Sequence, residues 1–132
     1  MKILIVEDEA LVAMNMQDVL EAQGHQVIKI ADDEESAILA AIHRKPDLAL
    51  VDMRLSGGGC GLVVARQMHD IGVAVLFATG NCPGPNHGEI ALGCLHKPLS
   101  DDQLIAGVLV AEALQNRSAN PPPIPAGMHL YR

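Results

Sequence analysis

Residues 1–24 read MKILIVEDEALVAMNMQDVLEAQG: an apolar run from Ile3 to Val6, three acids at Glu7, Asp8 and Glu9, then a repeat that ends at Gly24. Four consecutive aliphatic residues without alternation suit a strand buried on both faces, as in a parallel sheet covered by helices. From Ala10 to Gln23, Val12, Met16, Val19 and Leu20 recur at helical spacing. Gly24 stands where a left-handed C-terminal cap is expected. The stretch predicts strand, acidic turn and helix, with the acids placed where the strand ends.

The same pattern repeats along the chain. A strand around Gln26–Ile30 precedes a helix over Asp33–Arg44, stopped by Pro46 because its ring cannot continue the turn. Asp47–Asp52 reads as a third strand, with Leu48 to Val51 as its apolar run. Ser56-Gly57-Gly58-Gly59-Cys60-Gly61 reads as a flexible loop rich in unscreened backbone N–H groups, and Leu62–Ile71 as the next helix. A fourth strand from Val73 ends at Thr79, and Cys94–His96 forms a weaker fifth. Ser100 with Gln103 three residues on is a capping-box pattern that opens a last helix reaching about Leu114. The alternation predicts an α/β domain, a parallel sheet with helices on both faces and right-handed crossovers. Ligands in such folds bind beyond the carboxyl ends of the strands, near the point where strand order reverses. Glu7, Asp8, Asp52, Thr79 and Lys97 all fall on that edge.

Composition removes several function classes. At 132 residues the chain is one domain, able to bury about two thirds of its unfolded surface without disulfides. Cys60, Cys82 and Cys94 are odd in number and show no C-x-x-C spacing. Neither a disulfide framework nor a thiolate zinc site is therefore expected, and a reducing, cytoplasmic setting fits. The first apolar run is too short for a signal-peptide core and none reaches 18 residues, so neither export nor membrane insertion is expected. A net charge of −7 repels nucleic-acid phosphate, and Phe77 and Tyr131 are the only aromatics. Direct DNA or RNA binding is disfavoured. The six histidines show no ligand spacing and read as surface or structural groups.

Three carboxylates brought together at Glu7, Asp8 and Asp52 repel one another, and a hard divalent cation resolves the conflict. Magnesium takes oxygen ligands, keeps several waters and is commonly held by one or two carboxylates plus phosphate oxygens. Asp52 is the best-placed nucleophile for an aspartyl-phosphate. Lys97 offers a mobile positive charge to phosphoryl oxygens, Thr79 a hydroxyl, and the backbone N–H groups after Asp52 further donors. Singly, an acidic pair is a solvated turn, a strand-end Asp a cap and Lys-Pro a surface turn. Their joint order at successive strand ends carries the weight.

Over about Lys2 to Gln115 these residues resemble the receiver domain of two-component response regulators. The resemblance implies a flavodoxin-like, doubly wound five-stranded parallel sheet of order 2-1-3-4-5, and phosphorylation of Asp52 by a histidine kinase or histidine phosphotransfer protein. It identifies Glu7 and Asp8 with the metal-binding acid pair. Asp8, Asp52 and the Arg54 backbone carbonyl would be ligands and Glu7 would act through water, with Mg2+ or alternatively Mn2+ as the ion. Thr79 matches the switch hydroxyl, and Lys97, followed by Pro98, the phosphate-binding lysine. Leu76-Phe77-Ala78-Thr79-Gly80 resembles the motif of a single-domain subclass nicknamed FATGUY, with Asn81 where that motif has tyrosine. The expected organisation is a receiver over 1–117 and a flexible Pro-rich tail over 118–132 with no output domain after it. That implies a stand-alone cytoplasmic regulator acting on an unidentified downstream protein, not an enzyme with a separate substrate.

Four departures bear on mechanism. Ser56 stands where receivers usually carry proline, in a glycine-rich loop. Cys94 occupies the position of the aromatic half of the family's switch, so aromatic rotation cannot operate from there. The segment from Gly80 to His96 contains Pro83, Gly84, Pro85 and Gly88, which oppose a regular helix, so the fourth helix should be short, displaced or irregular. Arg54, two residues after Asp52, overlooks the phosphoryl position; it would screen it from water, pair with an acid or simply be solvated. Ile105, Leu109, Val110 and Leu114 give the last helix a broad apolar surface, read either as a homodimer interface or as extra internal packing. Pro121 to Pro125 favours an extended polyproline form, a passive tail or a peptide ligand. The competing reading is a pseudo-receiver scaffold that works without phosphorylation. A hydrolase would want an acid where Arg54 stands, and a dinucleotide enzyme a G-x-G-x-x-G where Glu7-Asp8-Glu9 stands.

Overall fold

Alternate residues of each central strand serve different cores. Ile3, Ile5, Leu48, Leu50 and Leu76 point into one, and Leu4, Val6, Ala49, Val51 and Phe77 into the other, all at most 1% exposed. This division defines the computed structural model, which describes residues 1–131. In chain order the elements are β1 (Lys2–Val6), α1 (Ala10–Ala22), β2 (Gln26–Ala31), α2 (Glu34–Arg44), β3 (Leu48–Val51), α3 (Gly61–Asp70), β4 (Ala74–Thr79), β5 (Gly93–His96), α4 (Asp101–Gln115) and β6 (Met128–Leu130). The sheet order is β2-β1-β3-β4-β5-β6, parallel from β2 to β5. Order 2-1-3-4-5 and the flavodoxin-like architecture hold as expected.

α2 and α3 cover one face through Ala37, Ala40, Ala41, Val64, Ala65 and Met68. α1 and α4 cover the other through Ala13, Met16, Leu20, Leu104, Val108 and Ala111. Helix starts follow local chemistry: the Asp33 carboxylate accepts from the Ser36 amide at 2.8 Å, and Ser100 and Gln103 complete the reciprocal capping box at 3.1 and 2.9 Å. Between β4 and β5 stands only a single 3-10 turn, Pro85–His87, in place of a regular helix. That is the irregularity expected of a segment with two prolines and three glycines.

Three expectations are corrected, and one of two open readings gains support. The sheet has a sixth strand: β6 runs antiparallel to β5, pairing Cys94 with His129. Residues 118–131 are therefore not simply a free tail, because the chain returns to cover the sheet edge, as exposed strand edges favour; Arg132 lies outside the described residues. Second, Cys82 and Cys94 form a disulfide with a Cα separation of 6.0 Å. A twelve-residue spacing carries no sign of this, since the pairing exists only once the β4–β5 connection folds back over β5. Third, the glycine loop is pinned. The Ser56 amide donates to the Asp32 carbonyl at 2.9 Å, Leu55 to Gly59 at 3.1 Å, and Cys60 to the Glu34 carboxylate at 2.7 Å. On α4, internal packing accounts for part of the broad apolar surface. Val110 is 1% exposed within the core that includes Met128 of β6, while Leu109 remains 44% exposed.

Gly93 allows β6 to approach, since a Cβ there would collide with the His129 backbone. Gly93→Val should therefore detach β6 while leaving the parallel sheet folded. Hydrogen exchange would read this as protection lost at 128–131 and kept at 3–6 and 48–51; unchanged protection at 128–131 would refute the packing argument.

Candidate functional site

The hydrogen-bond ladder of the sheet runs one residue past three strand ends, and this fixes where the polar side chains begin. The Glu7 amide donates to the Ala31 carbonyl, Asp52 to Val6 and Lys97 to Thr79, each at 2.9 Å. Glu7 and Asp52 are thus rooted on neighbouring strands, and Lys97 on β5 beyond β4, all at the same edge. Behind Asp52 the chain turns sharply, with the Gly61 amide donating to the Met53 carbonyl at 2.8 Å. A Cβ on Gly61 would collide with the Asp52 carbonyl, so this close approach needs glycine.

Glu7, Asp8 and Asp52 present carboxylate oxygens within 4.8 Å of one another. The Lys97 ammonium sits between two of them, bonded to Glu7 Oε1 and, at 3.2 Å, to Asp52 Oδ2. Asp52 Oδ1 accepts from the Met53 amide at 2.7 Å, and Glu7 Oε2 from the Glu9 amide at 3.2 Å. Glu7 and Thr79 are each only 2% exposed. The Thr79 hydroxyl accepts from the Asn81 amide at 3.2 Å.

Burial pushes the Glu7 carboxyl above its ordinary range, against the opposing pull of Lys97 and the Glu9 amide. Burial also acts upward on Asp52, but there the Thr79 hydroxyl and the Lys97 charge outweigh it and hold the carboxyl below its ordinary value. Burial acts to lower Lys97, and the two carboxylates more than offset it, so the ammonium is held above the usual lysine range. At neutral pH Asp52 is an ionised acceptor and Lys97 a cation.

These groups border a polar cavity of about 460 Å³ lined by Asp8, Glu9, Asp52, Arg54, Thr79, Gly80, Asn81 and Lys97. A larger groove of about 620 Å³ between α1 and the start of α4 shares Lys97, but its walls are mostly apolar: Leu11, Val12, Met16, Leu99 and Leu104. The donors and acceptors converge in the smaller one. Arg54 is exposed and forms no ion pair among the described residues, which leaves screening or plain solvation of the three readings. Cys94 lies apart from the cavity, fully buried in β5.

A family model for the response regulator receiver domain matches residues 3–109. The chain belongs to that family. Among curated relatives, the receiver is similar to the phyllosphere-induced regulator PhyR of Methylorubrum extorquens, 38% identical over 80 residues that cover 59% of this chain and 30% of PhyR. It is similar to the transcriptional regulatory protein PdtaR of Mycobacterium tuberculosis, 26% identical over 114 residues that cover 83% of this chain and 56% of PdtaR. The chain thus spans about half or less of the length of these relatives. Among solved structures, the N-terminal domain of a response regulator/sensory box/GGDEF 3-domain protein from Carboxydothermus hydrogenoformans superposes with a TM-score of 0.75 at 29% identity, covering 91% of this chain and 100% of that one. The receiver is a module of two-component signalling, a regulatory family and not one defined by substrate turnover.

Three contributors escaped sequence reasoning: Cys82, Tyr131, whose hydroxyl donates to the Pro83 carbonyl, and Glu34, which ties the glycine loop. Only Glu34 had a local signal, as an acid in the first turn of a predicted helix.

Lys97→Met would leave the buried Glu7 carboxylate without its cation, and should cost roughly 2–3 kcal/mol in metal-free buffer, below the range for fully buried pairs because Asp52 and Lys97 retain solvent contact. An acid with a raised folded pKa contributes most when protonated, so the deficit should shrink as pH falls from about 8 to about 5. Urea unfolding at several pH values checks this; a deficit that grows towards acid pH would contradict the assignment of Glu7 as the strained charge.

Proposed function

We propose that this receiver is a phosphoacceptor switch: Asp52 takes a phosphoryl group from a phosphohistidine on a histidine kinase or phosphotransfer protein, and the change on the Thr79 side is read by a protein partner. The observation that carries the reading is Asp52, an ionised carboxylate fixed by the Met53 amide and the Lys97 ammonium at the floor of an open polar cavity. In the transfer the phosphorus–nitrogen bond breaks and a bond from phosphorus to an Asp52 oxygen forms. The imidazole leaves with its electron pair and takes up a proton.

The donor set suits a hard cation, because it consists of carboxylates that repel at the observed separations. Asp8 and Asp52 would hold Mg2+ directly with the Arg54 carbonyl, and Glu7 through water; Mn2+ fits the same oxygens. The ion supplies charge neutralisation for the incoming phosphoryl oxygens. Lys97 moves from Glu7 and Asp52 onto a phosphoryl oxygen. The Thr79 hydroxyl turns to donate to another, and in doing so exchanges its contact with the Asn81 amide. That exchange carries the signal into residues 80–92.

The pseudo-receiver reading keeps one support, the burial of Cys94 in a disulfide where receivers place a mobile aromatic. Intact mass after treatment with a small phosphodonor separates the two. The expected result is a phosphoryl mass gain that requires magnesium and vanishes in Asp52→Asn. Absence of gain with both the small donor and a cognate kinase would favour the scaffold. Asp8→Asn should weaken Mg2+ binding by more than about tenfold in calorimetric titration while leaving the fold intact, since it removes one of the charges that balance the dication; unchanged affinity would remove Asp8 from the ligand set.

A further inference from the structure

We propose that Cys82–Cys94 is a thiol–disulfide control site, reduced by a dithiol, that sets the freedom of residues 80–89 beside Thr79. The two sulfurs differ in access: Cys94 is 0% exposed in β5, whereas Cys82 is half-buried in the irregular connection. A thiolate of the reductant attacks Cys82 Sγ, and the Cys94 sulfur leaves with the bonding pair and takes a proton. The second thiol of the reductant then displaces Cys82 as its own disulfide closes. Two electrons and two protons pass to the protein, and the dithiol is oxidised.

The site is placed to act locally. β5 is hydrogen-bonded to β4 on one side and β6 on the other, so the sheet does not depend on the cross-link. Residues 80–89 do. They contain one three-residue 3-10 turn, and besides the disulfide the side-chain ties that reach them from elsewhere in the described chain are the Tyr131 hydroxyl on the Pro83 carbonyl and the Thr79 hydroxyl that accepts from the Asn81 amide. The far end is anchored separately, by buried Ile90 and Ala91 and by the Leu92 amide on the Val75 carbonyl at 2.8 Å. Cleavage therefore removes the one covalent anchor of 80–89 and leaves two single hydrogen bonds. Cys82 immediately follows Asn81, whose amide holds the Thr79 hydroxyl, so the released stretch begins at the residue that orients Thr79. The consequence for phosphoryl signalling rests on the function proposed above; the redox step itself does not.

The test uses the full chain, oxidised and after mild dithiothreitol treatment under native conditions. Alkylation in denaturant, after the reductant has been removed from the native protein, should tag Cys60 alone in the oxidised protein and three cysteines in the reduced one. Hydrogen exchange at 80–89 should accelerate by at least about tenfold on reduction, with β1 and β3 unchanged. Cys82→Ser, which leaves the buried Cys94 in place, should show the fast exchange without reductant. Reduction that requires denaturant, or reduction with no change at 80–89, would overturn the proposal. Magnesium-dependent phosphorylation measured in both redox states forms a separate arm: a redox effect on exchange in a protein that accepts no phosphoryl group would sink the functional reading and leave the redox site standing.

Discussion

One lysine ammonium between two carboxylates organises the carboxyl edge of this sheet. Glu7 is almost fully buried, and an uncompensated carboxylate there would cost several kcal/mol. Lys97 compensates it from the end of β5, with β3 and β4 in between, and the same ammonium reaches Asp52. The pairing demands that β1, β3 and β5 end at one level, which the parallel register and the three amide bonds beyond the strand ends provide. In the function proposed above, this shared cation is the group that would turn to a third anion.

The strands and the acid set were legible because both are written locally. Unbroken aliphatic runs identify strands covered on two faces, and a polar residue after each run falls at the carboxyl edge whatever the strand order. Glu7, Asp8, Asp52, Thr79 and Lys97 meet there for that reason. The order itself came through family resemblance, since periodicity says nothing about which strands are neighbours.

What stayed hidden depends on contacts between distant segments that lack a local pattern. Met128–Leu130 is three residues after a proline run, too short for alternation to register, and it becomes a strand only because β5 offers an open edge. Cys82 and Cys94 counted as an odd set with Cys60, and counting cannot say which two will meet. The glycine loop read as flexible from its composition, yet Glu34 and Asp32 hold its backbone from the start of α2. Composition gave the freedom of the isolated segment, whereas the fold supplied partners that removed it.

Two of these features, the disulfide and β6, bear on one region. A receiver with a regular helix after β4 stabilises that connection by burying an amphipathic face. Here prolines and glycines prevent the helix, so little apolar surface is available and the connection must be held by discrete ties. The disulfide supplies one and Tyr131, carried back by β6, another. Discrete ties behave differently from a packed face: each is removed by a single chemical or conformational event, while a packed face yields only by cooperative loss of many contacts. The Thr79 hydroxyl, bonded to Asn81 at the head of this segment, is therefore coupled to a stretch whose order is otherwise set by one covalent cross-link and one hydrogen bond. A net hydrogen bond contributes about 1 kcal/mol and a disulfide roughly 2–4 kcal/mol, so one hydrogen bond exchanged at Thr79 matches the Tyr131 tie in size but not the cross-link. In the function proposed above, an open cross-link is the condition under which a local event at the acid cluster would reach the surface.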